Sequence, residues 1–590
     1  MSFRLNPIKK DGNSIDTQQL SFFSPIRTLS DRYIRDLEKG WAGSFRSIIM
    51  PNIDEEPYRV LYSDIPGRSN FPVNILLGAL ILKEMKQLPT DDDVRERVCF
   101  DLEYRYALCA EEMDGAPFSD NVMTNFRRKC IEHYLETGED LIHKTFDSLT
   151  EKLAEFMEID DSLIAIDSTM VASKIKNMNR LELLYTNNEL MIEAICGVKI
   201  HKRDAKTKTV KPGIDIIDGQ ISFIEGVSGD KEAEAFRERR EAELESARRA
   251  LPASLVHYLS KDNKNLTLYH NKEDSYASRV ENVIGDAKEI IRFCQSRPEK
   301  LSLEQYDVFS RIFFEQCKED GEGNYALRKA GEGMDSDMIQ SPHDIDATYR
   351  SKDGKCFKGY TAVFTQAKNA DGETLIMDYD VDKNNVSDQE FGARLAGRLE
   401  EKSIDAGATI VGDSLFSGEG MEAAAGEKNY EIVNTNLTGA VPPDHYADNE
   451  FDEDGELVKC AGGAKPVSTK MNKDGSCTAK IEKSACENCP HRDKCKIREQ
   501  KNSNSLRTSK KAKERAEKIR ERGGEKFREL SHFRNGVETV PSALKEKLKI
   551  DTRHGRSLAD KTLGIGISMI ALNTIKALQF LDRRVNYAQI

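Results

Sequence analysis

An α/β fold with large helical parts is predicted by three observations. The first 150 residues read as successive capped helices, and a β-rich run begins at Ser162. Beyond residue 340 the runs follow the order β-β-α-β-α-β. The composition agrees: 38% apolar and 32% charged residues with only 17 Pro in 590 describe a soluble, helix-rich globular chain. At roughly 100–200 residues per domain, that length accommodates several cores.

Taking the elements in order, Pro72 is placed as the first residue of a helix whose Ile75, Leu76, Ala79, Leu80, Leu82 and Met85 form one apolar face. Thr90 and Asp91 cap a second helix carrying Val94, Val98, Leu102 and Tyr106, and Ser119 opens a third with Val122, Phe126, Arg127 and Arg128. This unit reads either as a packing module or as a DNA-binding one. The run LIAIDSTMV is a strand buried on both faces with Asp167 at its centre. Lys231–Ala250 is a charged helix with many i,i+4 opposite pairs, best read as a solvated insertion. Phe357–Gln366 and Thr374–Val381 form a hairpin around Asp371-Gly372. A helix over Ser387–Lys402 follows, then a strand Ala408–Val411 leading to Asp413, a helix near Met421–Gly426 and a strand Tyr430–Asn434.

The net charge of −13 argues against nucleic acid only on average. Residues 492–590 hold 25 Lys+Arg against 12 Asp+Glu, so an acidic body carries a basic C-terminal region. No signal-peptide pattern opens the chain, and the apolar stretch Leu563–Leu581 is interrupted by Asn573, Thr574 and Lys576. It reads as a buried amphipathic helix, and the expected location is the cytoplasm, without membrane contact.

Two acids at strands that can pair, Asp167 and Asp413, repel one another and invite a divalent cation; oxygen ligands suit Mg²⁺ or Mn²⁺. Taken alone, an Asp at a strand end is also an ordinary turn or cap residue. A third element lies in SHFRNGVETVPSALK, where Arg534, Glu538 and Lys545 stand in the spacing R-x3-E-x6-K. A helix places these on one face, so Arg534 and Lys545 can hold phosphates while Glu538 completes a metal site. A solvated i,i+4 Arg–Glu pair is the plain alternative.

Five cysteines (Cys460, Cys477, Cys486, Cys489 and Cys495) crowd one short stretch. The C-x2-C-x5-C spacing of Cys486, Cys489 and Cys495 lets thiolates take corners of a tetrahedral Zn²⁺ site. Cys460, Cys477 and His491 are candidates for the fourth corner. The following run to Leu530 is basic and helical, either a phosphate-neutralising face or a solvated helix.

The combination resembles the DDE transposases of bacterial insertion sequences. IAIDSTMVAS matches the family's first strand and aspartate (Asp167), ATIVGDSLF the second aspartate (Asp413), and the late helix the glutamate (Glu538). One large group has the signature Y-x2-R-x3-E-x6-K; Arg534, Glu538 and Lys545 match it, and Ser531 stands at the tyrosine position, with His532 and Phe533 beside it. Gly67-Arg-Ser-Asn-Phe-Pro72 through Phe118 to Arg128 looks like the family's N-terminal helical domain. Ser341-Pro-His-Asp-Ile-Asp346 through Tyr360 looks like the second-strand region.

The resemblance implies a ribonuclease-H-like mixed-sheet catalytic core divided as follows. Residues 1–150 would be an N-terminal helical, DNA-end-binding domain, 151–182 the first core strand, 183–340 a largely helical insertion and 341–436 the core continued. A Cys-rich, zinc-binding insertion would cover 437–500, and a basic segment with the C-terminal catalytic helices 501–590. It further implies metal-dependent DNA cleavage at element ends and strand transfer into target DNA. Two Mg²⁺ or Mn²⁺ ions would be bridged by Asp167 and held singly by Asp413 and Glu538, with Arg534 and Lys545 on phosphates. The implied partners are double-stranded DNA, as terminal inverted repeats and target, and a second copy of the chain, at the nucleoid. The competing functions are a catalytically inactive DNA-binding derivative and a nuclease without strand transfer.

Overall fold

The computed structural model describes residues 3–588 except 7–27, 64, 66–68, 111–118, 120, 200–212, 218–219, 225–229, 261, 271–273, 330, 334, 353, 403, 405–406, 414–415, 417–418, 428, 436–440, 522–523 and 554. Gly67, Arg68, Phe118 and Asp120 of the N-terminal resemblance lie outside the described residues.

Helix α1 (Val73–Met85) takes Pro72 as its N-cap, one position earlier than expected, and is buried on every side from Val73 to Leu82. The single apolar face of the sequence reading is thus wrong. Other helices enclose it, and even Asn74 is inside, bonded to the backbone carbonyl of Asn6. Thr90 caps α2 (Asp91–Phe100) as expected, in a reciprocal pair with Asp93 that satisfies two otherwise orphaned amides. The predicted continuous helix breaks at Asp101, whose carboxylate caps α3 (Leu102–Ala107). Then come α4 (Val122–Thr137), ended by Gly138 at φ 77°, and α5 (Leu141–Met157), capped by Asp140.

Strand β1 (Asp160–Ala172) leads into helix α6 (Arg180–Cys196), which opens the insertion together with α7 (Asp230–Ala250), α8 (Tyr276–Gln295) and α9 (Glu304–Gln316). The chain returns to the sheet with β2 (Thr348–Lys352), which the sequence reading missed, β3 (Lys355–Lys368) and β4 (Thr374–Lys383). Helix α10 (Asp388–Glu401), strand β5 (Thr409–Gly412), helix α11 (Glu419–Glu427) and strand β6 (Glu431–Asn434) complete it.

The principal order is β4-β3-β1-β5-β6, with β2 paired to the start of β3. Strand β3 is antiparallel to both its neighbours, β1 and β4, while β5 and β6 run parallel to β1. Gly359, at φ 151°, sits where β3 meets both β1 and β2. A Cβ there would lie 2.2 Å from the Val171 carbonyl oxygen, so only glycine fits.

One sheet face carries Ile164, Ile166 and Val363 against Phe391, Leu395, Phe416 and Met421 from the α10–α11 side. The other carries Ala165, Phe364 and Tyr379 against the N-terminal helices and α14 (Leu558–Ala588). Among the described residues, those before 150 share one core with this sheet face and α14, and form the third layer of the domain. Among the described residues α14 is the one helix long and apolar enough to cross a bilayer, and 83% of its apolar window is buried in this core. Asn573 explains its polar interruption: the side chain bonds both the amide and the carbonyl of Ile376 on β4.

The insertion closes its own core around Leu184, Ile192, Ile284 and Phe313. The Cys-rich segment does likewise, with a small sheet in the order β7 (Ser468–Met471), β8 (Cys477–Ile481), β10 (Asn504–Thr508), β9 (Arg498–Glu499). Its core includes Leu506 and Ala516, the latter on helix α12 (Lys510–Glu521), so this unit runs past the expected boundary at 500. The missing signal was β10, a central strand hidden in a stretch read from its charges as helix.

Candidate active site

Asp167 lies in the middle of β1, opposite Phe364 of β3. On its other side the parallel register runs Leu163 to Thr409, Ile164 to Ile410 and Ala165 to Val411. Continued by two residues, it sets Asp167 beside Asp413, and parallel neighbours on one face point the same way. Gly412 permits the approach, since a Cβ there would stand 2.9 Å from the Ile166 side chain. The sequence expectation that these two strands pair is thus met.

The third acid arrives on helix α13 (Glu525–Val537). Leu530, Phe533, Arg534 and Val537 form its buried stripe, with Glu538 as C-cap. Arg534 is 8% exposed; it donates to Glu538 Oε1 at 2.9 Å and stands 3.6 Å from Asp167 Oδ1. Its Nε has no acceptor, although that atom is buried. One guanidinium therefore joins the first and third acids.

Asp167 is itself buried and accepts from the Ser168 amide at 2.9 Å. Burial pushes its carboxyl above the ordinary carboxylate range. The Ser168 amide and Arg534 pull it down, while the charges of Asp413 and Glu538 push it up further. All three acids thus act on one another through space.

Lys545 departs from the expected geometry. The helix does not run through 531–548: it ends at Glu538, resumes over Thr539–Ser542 and widens into a π-turn over Ala543–Lys547. Pro541 lacks an amide hydrogen and cannot continue the regular ladder. The seven-residue spacing to Glu538 therefore does not fix a shared face, and Lys545 makes no ion pair among the described residues. Phe533, next to the expected tyrosine position, is buried under the Lys368 ammonium at 4.9 Å, while Ser531 is half-buried and His532 exposed.

In the Cys-rich unit one pocket is lined by Cys460, Cys486, Cys489 and Cys495. Cys460 and Cys489 approach so closely that a Cβ on Gly462 would meet their sulfurs at 3.8 and 2.6 Å. Tight turns present the thiols: the Gly463 amide donates to the Cys460 carbonyl and the Cys489 amide to the Cys486 carbonyl. Burial pushes the Cys495 thiol up to about 11, reinforced by Cys460, Cys489 and Cys486. Cys477 is excluded from this group: it is fully buried in β8 and accepts from the Leu457 amide. His491 lines the pocket, stacked at 4.6 Å on His445, a residue the sequence reading missed because it lies far from the cysteine run. His445 is 3% exposed with both ring nitrogens unpartnered, and burial lowers its pKa, leaving a neutral imidazole against the thiols.

Among the described residues one group brings three ligand-type atoms within 4.8 Å of one another, and it is neither of these: His143, Asp147 and Asp378. It already contains its cations. Lys402 reaches Asp378 at 2.6 Å and Asp147 at 2.7 Å, and Arg398 reaches Asp378 at 2.8 Å; against desolvation, the His143 hydrogen bond first and then these two cations hold the wholly buried Asp378 far below the carboxylate range. It is an ion-pair network fastening β4 to α5 and α10, and a metal would have to displace Lys402.

Comparison with known families places these features. Residues 37–129 match the family model described as Transposase domain (DUF772), and residues 459–578 match that described as Transposase DDE domain. The matches support a DDE transposase of an insertion sequence, and with it transposase function in general. Arg534, Glu538, Lys545 and the four pocket cysteines fall inside the second match; Asp167 and Asp413 lie between the two. No curated protein and no solved structure matches the chain.

Proposed function

We propose that this chain is a metal-dependent DNA transposase that cleaves DNA at the ends of its own element and joins the released 3′ hydroxyls to target DNA. The observation that carries the reading is the convergence of Asp413 and Glu538 on Asp167, with Arg534 joining Asp167 to Glu538, on a mixed sheet whose strand order, 3-2-1-4-5 in core numbering, supports a ribonuclease-H-like core.

The residues present fit divalent cations. Three carboxylates, one of them buried with a raised pKa, share a single cation, Arg534, and so form a hard oxygen donor set with negative charge left over. Asp167, Asp413 and Glu538 would hold Mg²⁺ or Mn²⁺, which when bound activates the attacking water or hydroxyl and stabilises the leaving oxygen. Arg534 favours the ionised form of Asp167 against its burial and holds the Glu538 carboxylate, fixing two ligands through one planar fork. Lys545, with no ion pair among the described residues, is a cation for a DNA phosphate. Cys460, Cys486, Cys489 and Cys495 fit a structural Zn²⁺ site that holds the hairpin at Cys460 to the loop at 486–495. The DNA substrates are terminal inverted repeats and target duplex, handled by a homodimer in the cytoplasm at the nucleoid.

The test is Mg²⁺-dependent cleavage of a duplex bearing the element's end. Asp167→Asn, Asp413→Asn and Glu538→Gln should each retain binding and fold and lose cleavage by about 10²–10⁴-fold, as several kcal/mol of charge stabilisation requires. Wild-type protein that binds the end without cutting would indicate an inactive derivative, and cutting without joining a nuclease.

A further inference from the structure

The small sheet of the Cys-rich unit has one face buried and one bare. Along β8, Cys477, Ala479 and Ile481 point inward, and along β10 so do Asn504, Leu506 and Thr508. The alternation of a strand then obliges Thr478, Lys480, Ser505 and Arg507 to face out. Register extends this to the flanking strands. Lys470 lies opposite Thr478, which lies opposite Arg507, giving one outward row. Ser468 lies opposite Lys480, which lies opposite Ser505, which lies opposite Arg498, giving the second.

The outward positions are thus four cations and three hydroxyls, with no acid. Lys470, Lys480, Arg498 and Arg507 are all exposed. Among the described residues Arg507 is the one of the four held by a carboxylate, that of Asp474 in the turn between β7 and β8. Glu499, next to Arg498, falls on the opposite side of its strand and is engaged by Arg492. The neighbouring helix α12 contrasts with this: Arg520 is held by Asp448, Lys513 by Glu517, and Lys510 by the Glu453 carbonyl. Lys511 and Lys518 of that helix are exposed as well, but Glu514 and Glu517 stand among its cations, whereas the outward sheet positions carry no acid.

Resting on the transposase reading above, we propose that this sheet face is a contact surface for the phosphate backbone of duplex DNA. Strand spacing and pleat place its cations about 7–10 Å apart on a surface about 15 Å wide. Duplex DNA carries one charge per roughly 1.7 Å of axis, so such a surface spans several phosphates. Ser468, Thr478 and Ser505 supply neutral donors between the cations, a mixture of partners that phosphate oxygens accept without regard to base sequence. The pocket cysteines lie on the inner side of the same unit and brace the loop that leads to β9.

The experiment measures binding of the full chain to a fluorescent 30-base-pair duplex across a salt series, in magnesium-free buffer without chelator. The triple variant Lys470→Gln, Lys480→Gln, Arg498→Gln retains Arg507 and its ion pair. It should flatten the slope of log affinity against log salt by about 2–3, roughly 0.9 per lost phosphate contact, and weaken binding at least about tenfold near 0.1 M salt. A control with equal charge change on the insertion, Arg292→Gln, Lys318→Gln, Lys329→Gln, should leave slope and affinity near wild type. Unchanged binding in the first variant, or equal loss in both, would overturn the proposal. So would a change in sedimentation of the DNA-free protein, which would make the face a contact between copies. Failure of the cleavage test with normal salt-dependent losses here would reject the transposase reading and leave this face standing as a DNA contact.

Discussion

Replacing Arg534 with Met isolates the electrostatics of the acid cluster, because the stem volume is nearly kept while the guanidinium goes. The pair with Glu538 is worth little, about 0–1 kcal/mol, since that carboxylate is 63% exposed. The pair with Asp167 is different: both side chains are nearly buried, and removing one partner of a buried pair typically costs about 3–5 kcal/mol. Asp167 can escape that cost by taking a proton. Its folded pKa already lies above the unfolded value, through burial first, and loss of Arg534 raises it further.

A group raised in the folded state contributes stability that is full below its unfolded pKa, about 3.9, and lost as pH rises through the folded value. The penalty of Arg534→Met should therefore be about 1 kcal/mol near pH 4 and grow by at most about 1.4 kcal/mol per pH unit. It should level off at about 3 kcal/mol or more once Asp167 is ionised in the variant. Because the chain has several cores, global unfolding is a poor measure. Hydrogen exchange of amides in β1 around Ile164–Thr169, in metal-free buffer from pH 4.5 to 8, reports the local opening energy. In an Asp167→Asn background the same substitution should cost only about 1 kcal/mol at every pH, the remainder being the coupling energy of the pair. A penalty independent of pH, or equal in both backgrounds, would refute the argument that Arg534 acts by holding Asp167 charged.

Two further outcomes follow from the other clusters. Lys402→Met should destabilise the β4–α5 junction by about 2–4 kcal/mol at neutral pH. Because Asp378 is depressed in the fold, its contribution is present above pH about 4 and lost as the pH falls, so local exchange at β4 should show wild type and variant converging in acid. For the thiol pocket, protein purified without chelator should contain about one zinc per chain, and Cys486→Ser or Cys460→Ser should lose it and loosen residues 444–521. Metal analysis finding none would reject the site, whereas Cys477→Ser should retain the metal.

Much of the architecture could be read from local signals. The hairpin at Asp371-Gly372, the capping of α2 by Thr90 and the strand around Asp167 each depend on a few adjacent residues whose turn chemistry, hydrogen bonding or burial pattern is distinctive. Asp167, Asp413 and Glu538 could be named for the same reason: the first lies within a recognisable strand, the second just after one and the third on a late helix, and the family resemblance supplied their order. The three-in-a-row thiol spacing was legible; its fourth member was one of three open choices, and only folding brought Cys460 to the pocket while turning Cys477 into a core.

Where pattern failed, long-range packing had decided. The run Val73–Leu82 is apolar all round except at Asn74, the local mark of a helix without a solvent face, but what covers it depends on α14, almost 500 residues later. The same holds for residues 1–150, whose apolar faces find their partners on β3, β4 and α14 and so become a layer of the sheet domain. Strand β10 was masked by the lysines and arginines that flank it, and only pairing with β8 revealed that alternate residues there are core. Lys545 was assigned to the Glu538 face from an ideal helical period, yet Pro541 and the π-turn alter that period. The sequence by itself determined which residues carry charge, thiol and turn; the tertiary structure decided which of them meet, because burial and pairing depend on surfaces contributed from distant parts of the chain.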